Sequence, residues 1–267
     1  MSAKVRGTRA ARAAAARTTT GRARAARMTP AAARTRGARV AGANGTCAAH
    51  DLITVAVPKG RLLEEASEIF LRAVGVSPKK LLDGTRKLAA DAPEAGLRFI
   101  SIRAADVASY VEHGAADVGI AGLDVLREEP RDLYEPLELG IGRCSVIIAR
   151  PRDAKPLPKG VAPRVATKYT ALATEHFARK SLPAEIIHLH GSIEVAPALG
   201  LADLILDITE TGETLRANGL TVEEQVLDVS ARLIVNRVAL KLHPERLRRL
   251  IDAIREACDS GRSARTS

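Results

Sequence analysis

Aromatic residues, cysteines and long apolar segments are scarce in this sequence of 267 residues. Phe, Tyr and Trp together make up only 2% of it, which argues against a surface that stacks the bases of single-stranded nucleic acid. Its three cysteines, Cys47, Cys144 and Cys258, lie far apart without metal-site spacing, which is typical of a reduced cytoplasmic protein. No apolar run approaches the length of a transmembrane helix and no secretory signal is visible, so we expect neither.

Acidic residues are absent from positions 1–50, which contain eleven Lys and Arg side chains. The other 30 basic residues are matched by 31 acidic ones, so the net charge of +10 comes from this segment. Its Ala, Arg and Thr side chains bury too little surface to offset the entropy of ordering, which predicts a disordered extension. The same interpretation includes an upstream start codon, with translation starting instead at Met28 or a later residue. Two other interpretations are open, namely an organelle transit peptide, which would make the protein organellar, and a non-specific nucleic-acid tether.

From Asp51 onward, short β-branched segments alternate with helical patterns. Strand patterns lie at 53–57, 97–102, 117–122, 144–149, 164–167, 185–190 and 202–208, and helical patterns lie at 62–74, 107–114, 170–180 and 245–258. This alternation predicts an α/β fold with mostly parallel strand pairing. The proline-rich segment at 149–163, ARPRDAKPLPKGVAP, predicts a boundary between two lobes of about 100 residues that enclose a cleft.

The segment LILDITETGETL, at 204–215, changes abruptly from an apolar strand pattern to hydroxyls, glycine and acids. The strand ends at Asp207 and a helix begins near Gly212, and the unpaired N–H groups of a helix start can receive a phosphate. Three threonines add hydroxyl groups there, Thr209, Thr211 and Thr214. An ordinary helix cap by one of the first two threonines is the alternative interpretation.

Basic residues follow two other predicted strands. Lys59 and Arg61 flank Gly60 at a second junction between a strand and a helix, which suits an anion, with a solvated turn as the alternative. Lys168 and Tyr169 open the helix at 170–180 and are candidates for contact with a ligand. An ordinary exposed helix start is the alternative interpretation.

Three more candidates lie near predicted strand ends. Arg103 either faces the cleft or forms a surface ion pair with Asp106. His188 and His190 lie on one face of one strand, and without further ligands nearby the pattern favours a structural role over metal binding.

A longer pattern contains the turn. From Glu194 to Leu215 the sequence resembles the signature of the ATP phosphoribosyltransferase family, and the matching positions are Glu194, Gly200, Ala202, Ile205, Asp207, Thr211, Gly212, Thr214 and Leu215. Further blocks resemble the family in order, at 56–62, 106–126, 164–169, 190–197, 218–220 and 231–237, so the resemblance covers about 52–258. The turn is also similar to the 5-phosphoribosyl diphosphate (PRPP) loop of type I phosphoribosyltransferases, although Leu206 replaces the first acid of that loop.

The resemblance implies a two-lobed fold like that of type II periplasmic binding proteins, with lobe I at 52–146 and 229–258 and lobe II at 147–228. It implies Mg²⁺-dependent transfer of phosphoribosyl from PRPP to N1 of ATP, giving phosphoribosyl-ATP and pyrophosphate, the first step of L-histidine biosynthesis. It also implies the short form of the enzyme, without a C-terminal regulatory domain. In that form a homodimer assembles with a subunit resembling histidyl-tRNA synthetase into a hetero-octamer, and we expect no membrane and no specific nucleic-acid partner.

Site residues follow from the matching positions. The resemblance implies catalytic roles for Asp207, Glu194 and Arg61. PRPP would be bound by Glu194 and by the turn residues Asp207, Thr209, Glu210, Thr211, Gly212, Glu213 and Thr214. ATP would be bound by Lys59, Gly60, Arg61, Arg103, Lys168 and Tyr169. Mg²⁺ would be held mainly by the substrate, with Asp207 and Glu194 as candidate ligands, while the roles of Glu210 and Glu213 stay open.

Two rival functions are compatible with the same fold. A solute-binding module would perform no chemistry, but it would normally be exported and would leave the turn at 207–214 unexplained. A phosphoribosyltransferase that acts on a free base would use a similar turn, and the pattern from Glu194 to Leu215 argues against it.

Overall fold

The computed structural model describes residues 52–83, 87–155 and 160–266. The predicted disordered extension at 1–50 lies outside these described residues. Within the three ranges, no helix is long and apolar enough to cross a membrane.

Strands and helices alternate along the chain. The first part contains β1 (Ile53–Pro58), α1 (Arg61–Val74), α2 (Pro78–Leu82), β2 (Ala89–Ala92), β3 (Leu97–Ile102), α3 (Val107–Glu112), β4 (Val118–Gly122), α4 (Leu123–Glu128) and β5 (Tyr134–Glu138). The middle part contains β6 (Cys144–Pro151), β7 (Arg164–Thr167), α5 (Thr170–Arg179), β8 (Glu185–His188), β9 (Leu204–Thr209), α6 (Glu213–Ala217) and β10 (Leu220–Val229). The last part contains β11 (Ala231–Val235), α7 (Arg237–Leu242) and α8 (Pro244–Thr266).

These strands form two sheets. The first has the order β2-β3-β1-β4-β11-β5 and the second has the order β10-β6-β9-β7-β8. The chain passes from the first sheet to the second between β5 and β6, and it returns at Ser230, the single residue between β10 and β11.

The expectation of mostly parallel pairing is wrong. Among the described strands, five of the nine pairings are antiparallel, and the parallel ones join β3, β1 and β4 in one sheet and β8, β7 and β9 in the other. The antiparallel strands are the hairpin strand β2 and the strands β5, β6, β10 and β11, which flank the two crossings between the sheets. The periodicity of a strand indicates how far it is buried but does not identify the neighbour with which it pairs, so these crossings could not be read from it.

Helices cover both faces of each sheet. In the first sheet, alternate residues of β1 face α1 and α8 on one side and α3 on the other, because side chains along a strand alternate between faces. Phe70 and Phe99 pack edge to face at 5.1 Å in this core, which otherwise consists mainly of aliphatic side chains, as the composition predicts. α1 ends where Gly75 adopts a left-handed conformation (φ 75°) and donates its N–H to the carbonyl of Leu71.

Candidate active site

Parallel strands of both sheets end close to one another. Lys59 and Gly60 follow β1, Lys168 and Tyr169 follow β7, and the predicted phosphate turn follows β9. The two sets of strand ends are in contact, because Arg61 at the start of α1 forms an ion pair with Glu210 of the turn. Ligand sites in open α/β sheets lie at the carboxyl ends of parallel strands, so this junction is the candidate active site.

Asp207 is the buried acid of the turn. It is only 9% exposed, its Oδ1 accepts the N–H of Ile208 at 2.8 Å, and the same oxygen lies 3.5 Å from the ammonium nitrogen of Lys168. Burial raises the pKa of Asp207, the ammonium of Lys168 opposes this shift, and the negative charge of Glu194 acts in the same direction as burial. The structure therefore brings together the two acids and the lysine that the sequence indicates.

The turn itself combines a helix cap with free donors. Gly212 adopts a left-handed conformation (φ 71°), and its N–H is accepted by the hydroxyl of Thr209 at 3.0 Å. The hydroxyl of Thr211 accepts the N–H of Glu213 at 3.4 Å. These two threonines thus bond within the turn, but the N-cap of α6 is Gly212, so neither threonine is the N-cap of the alternative interpretation.

Donors remain beyond these two bonds. In the part of the chain that the structure describes, no hydrogen bond uses the backbone N–H groups of Thr214 and Leu215 or the exposed hydroxyl of Thr214. Capping of the turn and reception of an anion are therefore compatible, because they use different groups.

Two arginines that the sequence pattern did not indicate lie beside the turn. A cavity of about 450 Å³ is lined by residues 209–212 together with Arg152 and Arg216. Neither guanidinium forms an ion pair within the described ranges. Positive charge next to free N–H donors favours a bound anion.

The predicted cationic residues differ in their surroundings. The Nε of Arg61 lies 3.1 Å from Glu65, and the ion pair between Arg61 and Glu210 is about half exposed. Lys59 and Arg103 are exposed, and neither forms an ion pair among the described residues, so the proposed surface pair of Arg103 with Asp106 does not form. Gly60 has a φ of 82°.

Lys168 and Tyr169 line a second cavity, of about 520 Å³, together with His188, His190 and residues of α4. The Lys168 ammonium lies 4.7 Å above the centre of the Tyr169 ring. The Tyr169 hydroxyl donates to Asp124 at 2.6 Å, and burial raises the pKa of Tyr169. The two histidine rings lie 4.6 Å apart, and no cluster of three or more His, Cys, Asp or Glu side chains suited to a metal occurs in the described part of the chain.

The two joined α/β sheets place this chain in the class of periplasmic-binding-protein-like folds. It superposes on the periplasmic aliphatic sulphonate binding protein SsuA from Escherichia coli with a TM-score of 0.51, covering 81% of this chain and 75% of that chain at 12% identity. The family described as HisG: ATP phosphoribosyltransferase matches residues 103–256. The chain belongs to this family, whose reaction is the first step of histidine biosynthesis.

Individual relatives agree with the family match. The ATP phosphoribosyltransferase of Anaeromyxobacter sp. (strain Fw109-5) is 82% identical over 208 residues, which are 78% of this chain and 94% of that protein. The enzyme of Halorhodospira halophila is 48% identical over 77% of this chain and 95% of its own. The structure of the ATP phosphoribosyl transferase (HisG:HisZ) complex from Thermotoga maritima matches with a TM-score of 0.67 and 30% identity, covering 78% of this chain and all of that chain. The predicted family, fold class and reaction are confirmed.

Proposed function

We propose that this chain transfers the phosphoribosyl group of PRPP to N1 of ATP with the residues gathered at the two sets of strand ends. The observation that supports this most strongly is the turn after β9. There a buried acid, Asp207, lies beside Lys168 and near Glu194, and a left-handed Gly212 leaves N–H groups free. Such a turn offers acceptors for sugar hydroxyls and donors for a phosphate within a few ångströms.

PRPP occupies the turn in this proposal. Asp207 and Glu194 accept hydrogen bonds from the ribose hydroxyls, and the 5-phosphate accepts hydrogen bonds from the N–H groups of Thr214 and Leu215. Thr209, Thr211 and Gly212 fix the shape of the turn, and Arg152 and Arg216 add positive charge beside it. Glu213 is exposed in the first turn of α6, and Glu210 points towards Arg61.

ATP lies across the other strand ends. Lys59, Gly60, Arg61 and Arg103 face its phosphates or the departing pyrophosphate, while Lys168 and Tyr169 line the larger cavity. N1 of adenine is itself the nucleophile, so in-line placement and charge stabilisation suffice. Cys144 is close enough to Arg61 to be affected by its charge, but burial raises the pKa of the Cys144 thiol to about 11. At neutral pH no thiolate of Cys144 therefore competes with N1 of adenine as the nucleophile.

Mg²⁺ fits this site as a companion of the substrate. Mg²⁺ in proteins usually retains several waters and takes one or two carboxylates plus substrate phosphates. Asp207 and Glu194 are the two carboxylates that would hold it, and once bound it would neutralise phosphate charge.

The assembly is proposed from the Thermotoga maritima complex. We infer that this chain forms homodimers that bind a regulatory subunit resembling histidyl-tRNA synthetase, in a cytoplasmic hetero-octamer. The lobes proposed at 52–146 with 229–258 and at 147–228 are consistent with the chain crossings between Glu138 and Cys144 and at Ser230.

A turnover assay tests the proposal. The purified protein is mixed with ATP, PRPP and Mg²⁺, with and without the co-purified regulatory subunit, and the adenine absorbance is followed. We expect an absorbance change that requires both substrates. Binding of ligand without any change in either preparation would favour the solute-binding alternative, and a free base that replaced ATP in competition would favour the other phosphoribosyltransferase.

Two substitutions test the turn directly. Thr214→Val and Gly212→Val should weaken PRPP binding while the circular dichroism spectrum stays unchanged, because one removes a hydroxyl donor and the other forces a branched side chain into a left-handed conformation. Unchanged PRPP affinity in both variants would contradict the assignment.

A further inference from the structure

Helix α4 belongs to the first sheet by its position after β4, yet its polar side chains contact the second sheet. Asp124 is buried, and its Oδ2 accepts the hydroxyl of Tyr169 at 2.6 Å. One turn later, Glu128 lies at the beginning of α5. Neither acid is among the residues to which the sequence assigned a role in catalysis or binding.

Glu128 supplies α5 with acceptors that its own sequence lacks. One carboxylate oxygen accepts the N–H of Ala171 at 2.9 Å and the hydroxyl of Thr170 at 3.2 Å, and the other oxygen accepts the N–H of Leu172 at 3.0 Å. No side-chain cap comes from Tyr169, which precedes the helix. A carboxylate at this end also interacts favourably with the helix dipole.

α4 is itself held firmly. Leu123 is buried in the core of the second sheet, and its N–H donates to the carbonyl of Ser230, where the chain crosses between the sheets. A Cβ added to Gly122 would lie 2.2 Å from Oδ1 of Asp124, so only glycine leaves room for this placement of the acid. The helix therefore has a fixed position from which its two acids reach α5.

These contacts enclose the junction formed by Lys168 and Tyr169. Thr167 before it is fully buried, and its hydroxyl accepts the N–H of Tyr169 at 2.8 Å. With the Tyr169 hydroxyl held by Asp124 and the following N–H groups held by Glu128, the backbone of the junction has little freedom. Lys168 is consequently directed over the Tyr169 ring and towards Asp207, 3.5 Å away.

We propose that Asp124 and Glu128 are positioning residues that hold the Lys168–Tyr169 junction in place for ATP. This inference rests on the proposed function, because the role of Lys168 in binding ATP comes from that proposal. In this proposal the N–H groups at the start of α5 bind the carboxylate of Glu128, so they do not bind a substrate phosphate.

The test measures ATP binding at equilibrium, in Mg²⁺ and without PRPP, so that turnover is not required. Glu128→Gln should weaken ATP binding about tenfold. The substitution replaces the charged carboxylate by a neutral amide, whose NH2 group would face one of the donors at the start of α5. The matched control is Glu175→Gln, which removes an exposed carboxylate from α5 itself and should bind ATP as the wild type does. Melting temperatures are recorded for all variants.

A double-mutant cycle separates positioning from a merely structural role. In a Lys168→Ala background, Glu128→Gln should change ATP affinity less than twofold, because the residue that it positions is gone. An equal loss in both backgrounds would overturn the proposal, and so would a Glu128→Gln variant that binds ATP as tightly as the control. A wild-type protein that binds no ATP would instead reject the proposed function.

Asp124 provides a second route if Glu128→Gln fails to fold. Asp124→Ala removes the acceptor of the Tyr169 hydroxyl, whereas Asp124→Asn keeps an oxygen that can accept it. ATP affinity should fall about tenfold in the alanine variant. In the asparagine variant the loss should be at most half as large on a logarithmic scale. Identical affinities in both variants would overturn the proposal.

Discussion

Replacing Gly212 by alanine tests the phosphate turn with a single methyl group. Gly212 has a φ of 71°, and an added Cβ would meet only Nη1 of Arg216, 4.0 Å away, among the described residues. The penalty is therefore backbone strain, about 1–2 kcal/mol for a non-glycine residue in this conformation, rather than collision. Because the turn is exposed and the helix that follows has five residues, we expect the strain to relax by displacement of the turn. PRPP should then bind about 5–30-fold more weakly in a calorimetric titration with Mg²⁺.

The matched control is Gly75→Ala. Gly75 has a φ of 75° and no atom within 4 Å of an added Cβ, but it ends α1, far along the chain from the turn. This variant should lose about 1–2 kcal/mol of unfolding free energy and keep its PRPP affinity. At Gly212, asparagine should bind PRPP better than alanine, because it tolerates left-handed conformations more readily. If Gly212→Ala lost stability as Gly75→Ala does and bound PRPP normally, the turn would be a helix cap only.

Three further variants test burial and packing. Asp207→Asn should remove most activity yet raise the melting temperature at pH 7, because burial raises the pKa of Asp207 and its ionisation opposes folding above that pKa. The gain should fade as the pH falls towards 3.8. His176→Gln should reduce the loss of stability below pH 6.5, because burial lowers the pKa of His176 and protonation then favours the unfolded chain. Gly119→Ala should lower the unfolding free energy in urea by about 1–3 kcal/mol, because an added Cβ would lie 2.7 Å from methyl carbons of Val107 and Val111. Melting temperatures with the same pH dependence as the wild type would contradict both pKa assignments, and an unchanged urea midpoint would contradict the third prediction.

Local signals account for the part of the fold that could be predicted. α1 has apolar residues at helical spacing and a glycine at its end, and β1 is a short β-branched segment, so both are recognisable without knowledge of their neighbours. β10 was not recognisable, because its side chains are mostly polar or partly exposed and its pairing with β6 contains two register shifts. Such a strand is specified by its partner rather than by its own periodicity.

The candidate site divides in the same way. The turn around Gly212 is formed by consecutive residues, so its position between a strand and a helix could be predicted from the sequence. The contacts of Glu210 and Glu128 could not, because their partners lie 149 residues away in α1 and about 43 residues away in α5. Local spacing identifies the turn, whereas only the fold shows which residues these two acids contact.

Those two acids differ in how easily a substrate could displace them. Glu210 and Arg61 form an ion pair that is about half exposed, and such pairs contribute roughly 0–1 kcal/mol, so a pyrophosphate with several negative charges can replace Glu210 on Arg61. Glu128 accepts three hydrogen bonds at the start of α5, so a substrate that displaced it would have to replace all three. We therefore propose that Arg61 is the exchangeable cation of the site and Lys168 the fixed one. In this proposal an acid next to the turn is no contradiction, because Glu210 would hold Arg61 beside the turn until the substrate took its place.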